Sequence, residues 1–118
     1  MSLITVVLAT LVALEHFYIM YLETFATQSE ATSRVFSTDK EELSRPSVDN
    51  LFKNQGVYNG LIGVFLLYGL FGAHRVELVT VFLIYVVAVA AYGAITVDKK
   101  IILKQAGLAI LALLSLLF

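Results

Sequence analysis

A carboxylate and an imidazole stand side by side at Glu15 and His16, in the middle of an apolar run from Leu3 to about Phe25. In hydrocarbon such groups are costly unless they face protein, water or one another, so by default they mark a functional position. The chemistry open to them is proton exchange, binding of a cationic or hydrogen-bonding ligand, or acid–base work. Successive helical residues point about 100° apart, so Glu15 and His16 do not aim at one atom without a third group. Glu23 lies seven residues after His16 and shares its face, about 10 Å away along the axis. Tyr18 falls on the Glu15 stripe, and Tyr21 adds another hydroxyl.

A second set opens the next apolar segment, Asn54-Gln55-Gly56-Val57-Tyr58-Asn59-Gly60. Gln55, Tyr58 and Asn59 fall on one face at helical spacing and can donate hydrogen bonds to a buried carboxylate. Asn59 is expected within reach of Glu15, directly or through one water. Gly56-x-x-x-Gly60 beside them lets a neighbouring helix approach closely. Tyr92 and Thr96, then Gln105, form a weaker third set.

The elements that must carry these groups are helices. The chain has 118 residues, 59% hydrophobic and 14% charged, with mean hydropathy +0.88. Soluble domains carry about 25% charged residues, and the deficit here comes from long uncharged stretches. Four segments approach the roughly 20 residues that cross hydrocarbon as a helix: about 3–25, 52–71, 76–97 and 101–118. Open strand edges are excluded from lipid. The expected fold is therefore an all-α, integral membrane four-helix bundle of antiparallel up-and-down spans, forming one domain over residues 1–118. The first run has no basic n-region and no small-residue cleavage motif, and is read as a retained span.

One long polar segment, about 27–50, separates spans one and two. Thr38-Asp39-Lys40-Glu41-Glu42 looks like a helix start, with Thr38 as cap and Glu41 three residues on. Pro46 is expected to stop such a helix before Val48. A solvated connector is the plainer expectation, with an interfacial helix or a loop folded over the mouth of the bundle as its alternatives. Arg34, Lys40, Arg45, Lys53, Lys99, Lys100 and Lys104 fall on one side of the membrane, and only Arg75 on the other. That bias puts loops 27–50 and 98–100 in the cytoplasm and both termini outside.

Composition also excludes. A net charge of −1 with no basic stripe argues against nucleic acid as a partner. Without cysteine there is no disulfide, thiolate ligand or Cys nucleophile. Two histidines and few intramembrane carboxylates supply no convincing metal set, and no cofactor is expected. The expected partners are the lipid bilayer, a small-molecule ligand and, through the glycine and alanine stripes, a second copy in a homodimer.

Ala13-Leu14-Glu15-His16-Phe17-Tyr18-Ile19-Met20-Tyr21-Leu22-Glu23-Thr24-Phe25 resembles the opening of the small bacterial membrane proteins grouped as domain of unknown function 1304. Asn54 to Gly60 looks like their second-span motif. Gly93-Ala94-Ile95-Thr96 and Gln105 are similar to their third and fourth spans. The resemblance covers essentially the whole chain and implies a four-helix protein of the bacterial inner membrane. It implies no activity, so no catalytic residue is carried over. What it carries over is the motif of Glu15, His16, Tyr18, Tyr21, Glu23, Asn54, Gln55, Tyr58 and Asn59.

The favoured functional expectation is a polar intramembrane pocket that binds a small ligand or couples a proton to solute movement. Two alternatives stand beside it. One is a membrane enzyme acting on a lipid-soluble substrate. The other is a structural or accessory subunit in which the polar groups clamp helices together.

Overall fold

The computed structural model describes residues 1–118 and is all-α, with six helices and no strand. The helices are α1 (Leu3–Met20), α2 (Glu30–Val35), α3 (Lys40–Leu43), α4 (Pro46–Leu67), α5 (Val76–Thr96) and α6 (Ile101–Ser115). Helices α1 and α4 each run on into a single π-helical turn, Tyr21–Phe25 and Tyr68–Gly72. Three helices are long and apolar enough to cross a bilayer: Leu3–Phe25, Pro46–Gly72 and Val76–Thr96, with 23, 27 and 21 residues. Helix α6 is apolar but has only 15 residues, about 22 Å of rise against roughly 30 Å of hydrocarbon.

The start of α1 has a local cause. Ser2 Oγ accepts a hydrogen bond from the backbone N–H of Thr5 at 3.2 Å, which satisfies one of the orphan donors of the first turn. At the other end the wider π turn leaves carbonyls to be met. The Ala26 N–H bonds the Tyr21 carbonyl at 2.9 Å. The Thr27 hydroxyl donates to the Glu23 carbonyl at 2.7 Å. The Thr32 hydroxyl reaches the Leu22 and Ala26 carbonyls at 3.0 and 2.7 Å.

The polar segment departs from expectation. It is not a plain connector: Ser29 caps α2 by accepting from Thr32 N–H at 3.2 Å. Helix α3 starts at Lys40, so Asp39 rather than Thr38 occupies the cap position, and its side chain makes no cap bond. Thr38 instead donates to the Phe36 carbonyl. The short helix α3 ends at Leu43, ahead of Pro46 as expected, and Pro46 is itself the first residue of the next helix, α4. There its missing N–H costs nothing and its fixed φ suits the first turn. Helix α4 thus begins six residues before the expected Phe52.

The chain divides into two compact units, residues 14–63 and residues 1–13 with 64–118. In the first unit Leu22, Thr32 and Leu43 are buried, and Phe36 packs edge-on against Phe52 with ring centroids 5.4 Å apart. In the second, α5 packs along α6 and against the π turn that ends α4. Its core holds Leu66, Leu70, Val79, Leu83 and Val86, with Ala106, Ala109 and Ala112 as a small-residue stripe on α6. The hydroxyls of Thr5 and Ser115 lie 2.7 Å apart in this core, and Ser115 also donates to the Ala112 carbonyl. Two hydroxyls that satisfy each other and the backbone remove the penalty of burying either.

Candidate functional site

Helix α4 meets the end of α1 where it has no side chains to keep them apart. A Cβ on Gly56 would overlap Thr24 Oγ1 and come within 3.0 Å of the Thr24 backbone nitrogen. A Cβ on Gly60 would overlap the sulfur of Met20. The close approach also lets Thr24 donate across the helices to the Lys53 carbonyl at 2.9 Å. Gly56→Ala is expected to cost about 1–3 kcal/mol, because the Thr24 backbone cannot yield as a flexible chain end does. Thermal unfolding in detergent checks this, and an unchanged midpoint would show that the helices do not touch at Gly56.

Glu23 lies at this contact. It is wholly buried. One carboxylate oxygen accepts from Gln55 Nε2 at 2.7 Å and the other from Asn59 Nδ2 at 2.6 Å. Asn59 Nδ2 is shared with the Gln55 backbone carbonyl at 3.2 Å. Gln55 and Asn59 are four residues apart, one helical turn, so both reach a single carboxylate. Each oxygen of the Glu23 carboxyl is thus met by one side-chain N–H, as a buried polar group requires.

Glu15 differs. Its Oε1 is buried, and no donor of the protein reaches it. Asn59, expected to serve Glu15, serves Glu23 instead. The glycines explain the difference. With Gly56 opposite Thr24 and Gly60 opposite Met20, antiparallel register sets Asn59 opposite residue 21. That is six residues, or about 9 Å, from Glu15.

The other expected residues distribute as follows. His16 is buried on α1. Tyr18, Tyr21 and Tyr58 are exposed, Tyr58 at 69%, so Tyr58 does not join Gln55 and Asn59 on the carboxylate. Asn54 Nδ2 donates to the Asn50 carbonyl of its own helix at 2.9 Å. Tyr92 is exposed, Thr96 donates to the Tyr92 carbonyl at 2.8 Å, and Gln105 is half-buried; all three belong to the other unit. No three His, Asp or Glu side chains gather into a metal-ligand set. The structure thus brings together Glu23, Gln55 and Asn59, and leaves Tyr18, Tyr21, Asn54 and Tyr58 outside that cluster. The sequence gives Thr24 and Thr32 no role of their own; its signal for α2 is Ser29 as a cap residue followed by the acidic Glu30 in the first turn.

Comparison with known proteins adds kinship without an activity. The chain is 60% identical over 119 residues to the uncharacterized protein YpaA of Lactococcus lactis subsp. lactis (strain IL1403), covering 100% of both chains. No solved structure matches. The family described as "Protein of unknown function (DUF1304)" matches residues 10–117, so the chain belongs to that family.

Proposed function

We propose that this chain is a multi-pass protein of the bacterial inner membrane whose Glu15 exchanges a proton or binds a small cationic ligand, coupled to solute movement. In this reading α1, α4, α5 and the shorter α6 form a four-span domain with both termini outside. Support comes from three helices of spanning length and apolarity and from the Lys and Arg excess on one set of loops. The observation that carries the functional part is the contrast between the two carboxylates of α1. Glu23 has both oxygens satisfied, whereas Glu15 keeps a buried oxygen with no donor from the protein. A satisfied carboxylate is a clamp between helices. An unsatisfied one is costly to fold around and persists where a ligand or proton completes it.

The clamp part also serves the accessory-subunit reading, so the test must bear on Glu15. In proteoliposomes with an imposed pH gradient, the native protein is expected to accelerate movement of tetraphenylphosphonium, with dissipation of the gradient read by an entrapped pH dye. Glu15→Gln is expected to behave like empty liposomes while keeping the native unfolding temperature or a higher one. Equal movement by the Glu15→Gln and native proteins removes Glu15 from the mechanism. No movement by either removes this coupling.

A further inference from the structure

The end of α4 and the start of α5 form an open apolar groove of about 450 Å³, lined by Val64, Phe65, Tyr68, Leu78 and Phe82. Phe65 and Phe82 stack with ring centroids 5.6 Å apart and planes 29° from parallel. No polar surface lines the groove, so it suits a hydrocarbon chain. The two helices are joined by Ala73–Arg75, and His74 there takes a left-handed φ of 53°. Toward this link, at the end of the helix pair, the chemistry changes. The Tyr68 ring lies along Gly72, where a Cβ would sit 2.8 Å from Cδ1 and 3.2 Å from Cε1. That directs the phenol toward the end of the helix pair, the level at which aromatic belts meet headgroups. Arg75 precedes Leu78 by less than one helical turn, about 4.5 Å of rise. It carries its own counter-charge: Arg75 Nη2 donates to Glu77 Oε2 at 3.3 Å, and both side chains are well exposed.

A hydrocarbon slot below and a cation beside an anion above describe an amphiphile with the reverse charges in its headgroup. We propose that this groove holds one acyl chain of a zwitterionic phospholipid with a primary ammonium headgroup, of the phosphatidylethanolamine type. Its phosphate meets Arg75 and the Tyr68 hydroxyl, and its ammonium donates to Glu77. The guanidinium has five N–H donors, so it engages the phosphate while keeping Glu77. Phosphatidylcholine presents the same charges but has no N–H to give Glu77. Phosphatidylglycerol presents a phosphate and no cation, and Glu77 repels it. The inference rests on the reading that α4 and α5 cross the membrane, and it is independent of Glu15.

The test is native mass spectrometry of the full chain, released from nanodiscs holding equal amounts of dioleoyl phosphatidylethanolamine, phosphatidylcholine and phosphatidylglycerol. The expected result is retention of phosphatidylethanolamine over each of the others by about two- to fivefold, the range that an exposed charge pair supports. Glu77→Gln is expected to equalise phosphatidylethanolamine and phosphatidylcholine with total lipid unchanged. Phe82→Ala is expected to lower total retained lipid whatever the headgroup. Enrichment of phosphatidylglycerol, absence of any preference in the native protein, an unaltered preference in Glu77→Gln, or undiminished lipid in Phe82→Ala overturns the proposal. If the protein fails to remain with alkali-washed membranes, the spanning reading itself falls. If it remains there but shows no headgroup preference, only this inference falls.

Discussion

Replacing Glu23 with leucine is expected to lower the stability of the protein by about 2 kcal/mol or more, read as a fall in the unfolding temperature in detergent or lipid. The substitution keeps the apolar bulk and removes the acceptor shared by Gln55 and Asn59. A hydrogen bond within a membrane protein averages about 0.6 kcal/mol, and one to a charged group in a soluble protein about 1.5–3 kcal/mol. The site lies between these limits. Gln55 is exposed and Asn59 half-buried, so water recovers part of what each amide loses. Glu23→Gln keeps one acceptor oxygen and is expected to cost about half as much, because one amide then faces another N–H. In a double-mutant cycle, Asn59→Ala should add little on top of Glu23→Leu, since the bond is already gone. Fully additive losses would mean that Asn59 and Glu23 do not interact, and the clamp would be discarded.

The limits of sequence reading fall at specific residues. Helix α5 appears at 76–96 against an expected 76–97, and α1 with its π turn covers the expected 3–25. Twenty apolar residues in a row have few structural alternatives, which makes such segments legible. Helices α2 and α3 are short, polar and held by contacts such as Thr32 with the Leu22 carbonyl. Nothing periodic in 27–50 announces those contacts, because their partner lies in the π turn that follows α1. Gln55 and Asn59 were readable as donors on one face. Their acceptor was not, because depth within a bilayer is a coarser ruler than interhelical register. The register follows from Gly56 and Gly60, whose absent side chains align them with Thr24 and Met20. The glycine pair was visible in the sequence, but which residues it would face was not.

Glu15 is expected to show the opposite sign from Glu23. Glu15→Met should raise the unfolding temperature, by an amount equivalent to about 1–2 kcal/mol, while abolishing the coupled movement proposed for the native protein. Burial of Glu15 Oε1 without a donor forfeits hydration and gains no bond in exchange, a loss of about 1–3 kcal/mol for such a group. Methionine fills similar space with no polar atom to satisfy and adapts its unbranched chain to irregular surroundings. Two carboxyl groups eight residues apart on one helix would then respond oppositely to their removal. A purely structural polar cluster does not behave this way, since every member of a satisfied network destabilises when removed. Stability lost for function is the usual signature of a working site. If Glu15→Met unfolds at a lower temperature than the native protein, Glu15 has a partner that stabilises it, and the distinction between the clamp and the working carboxylate disappears.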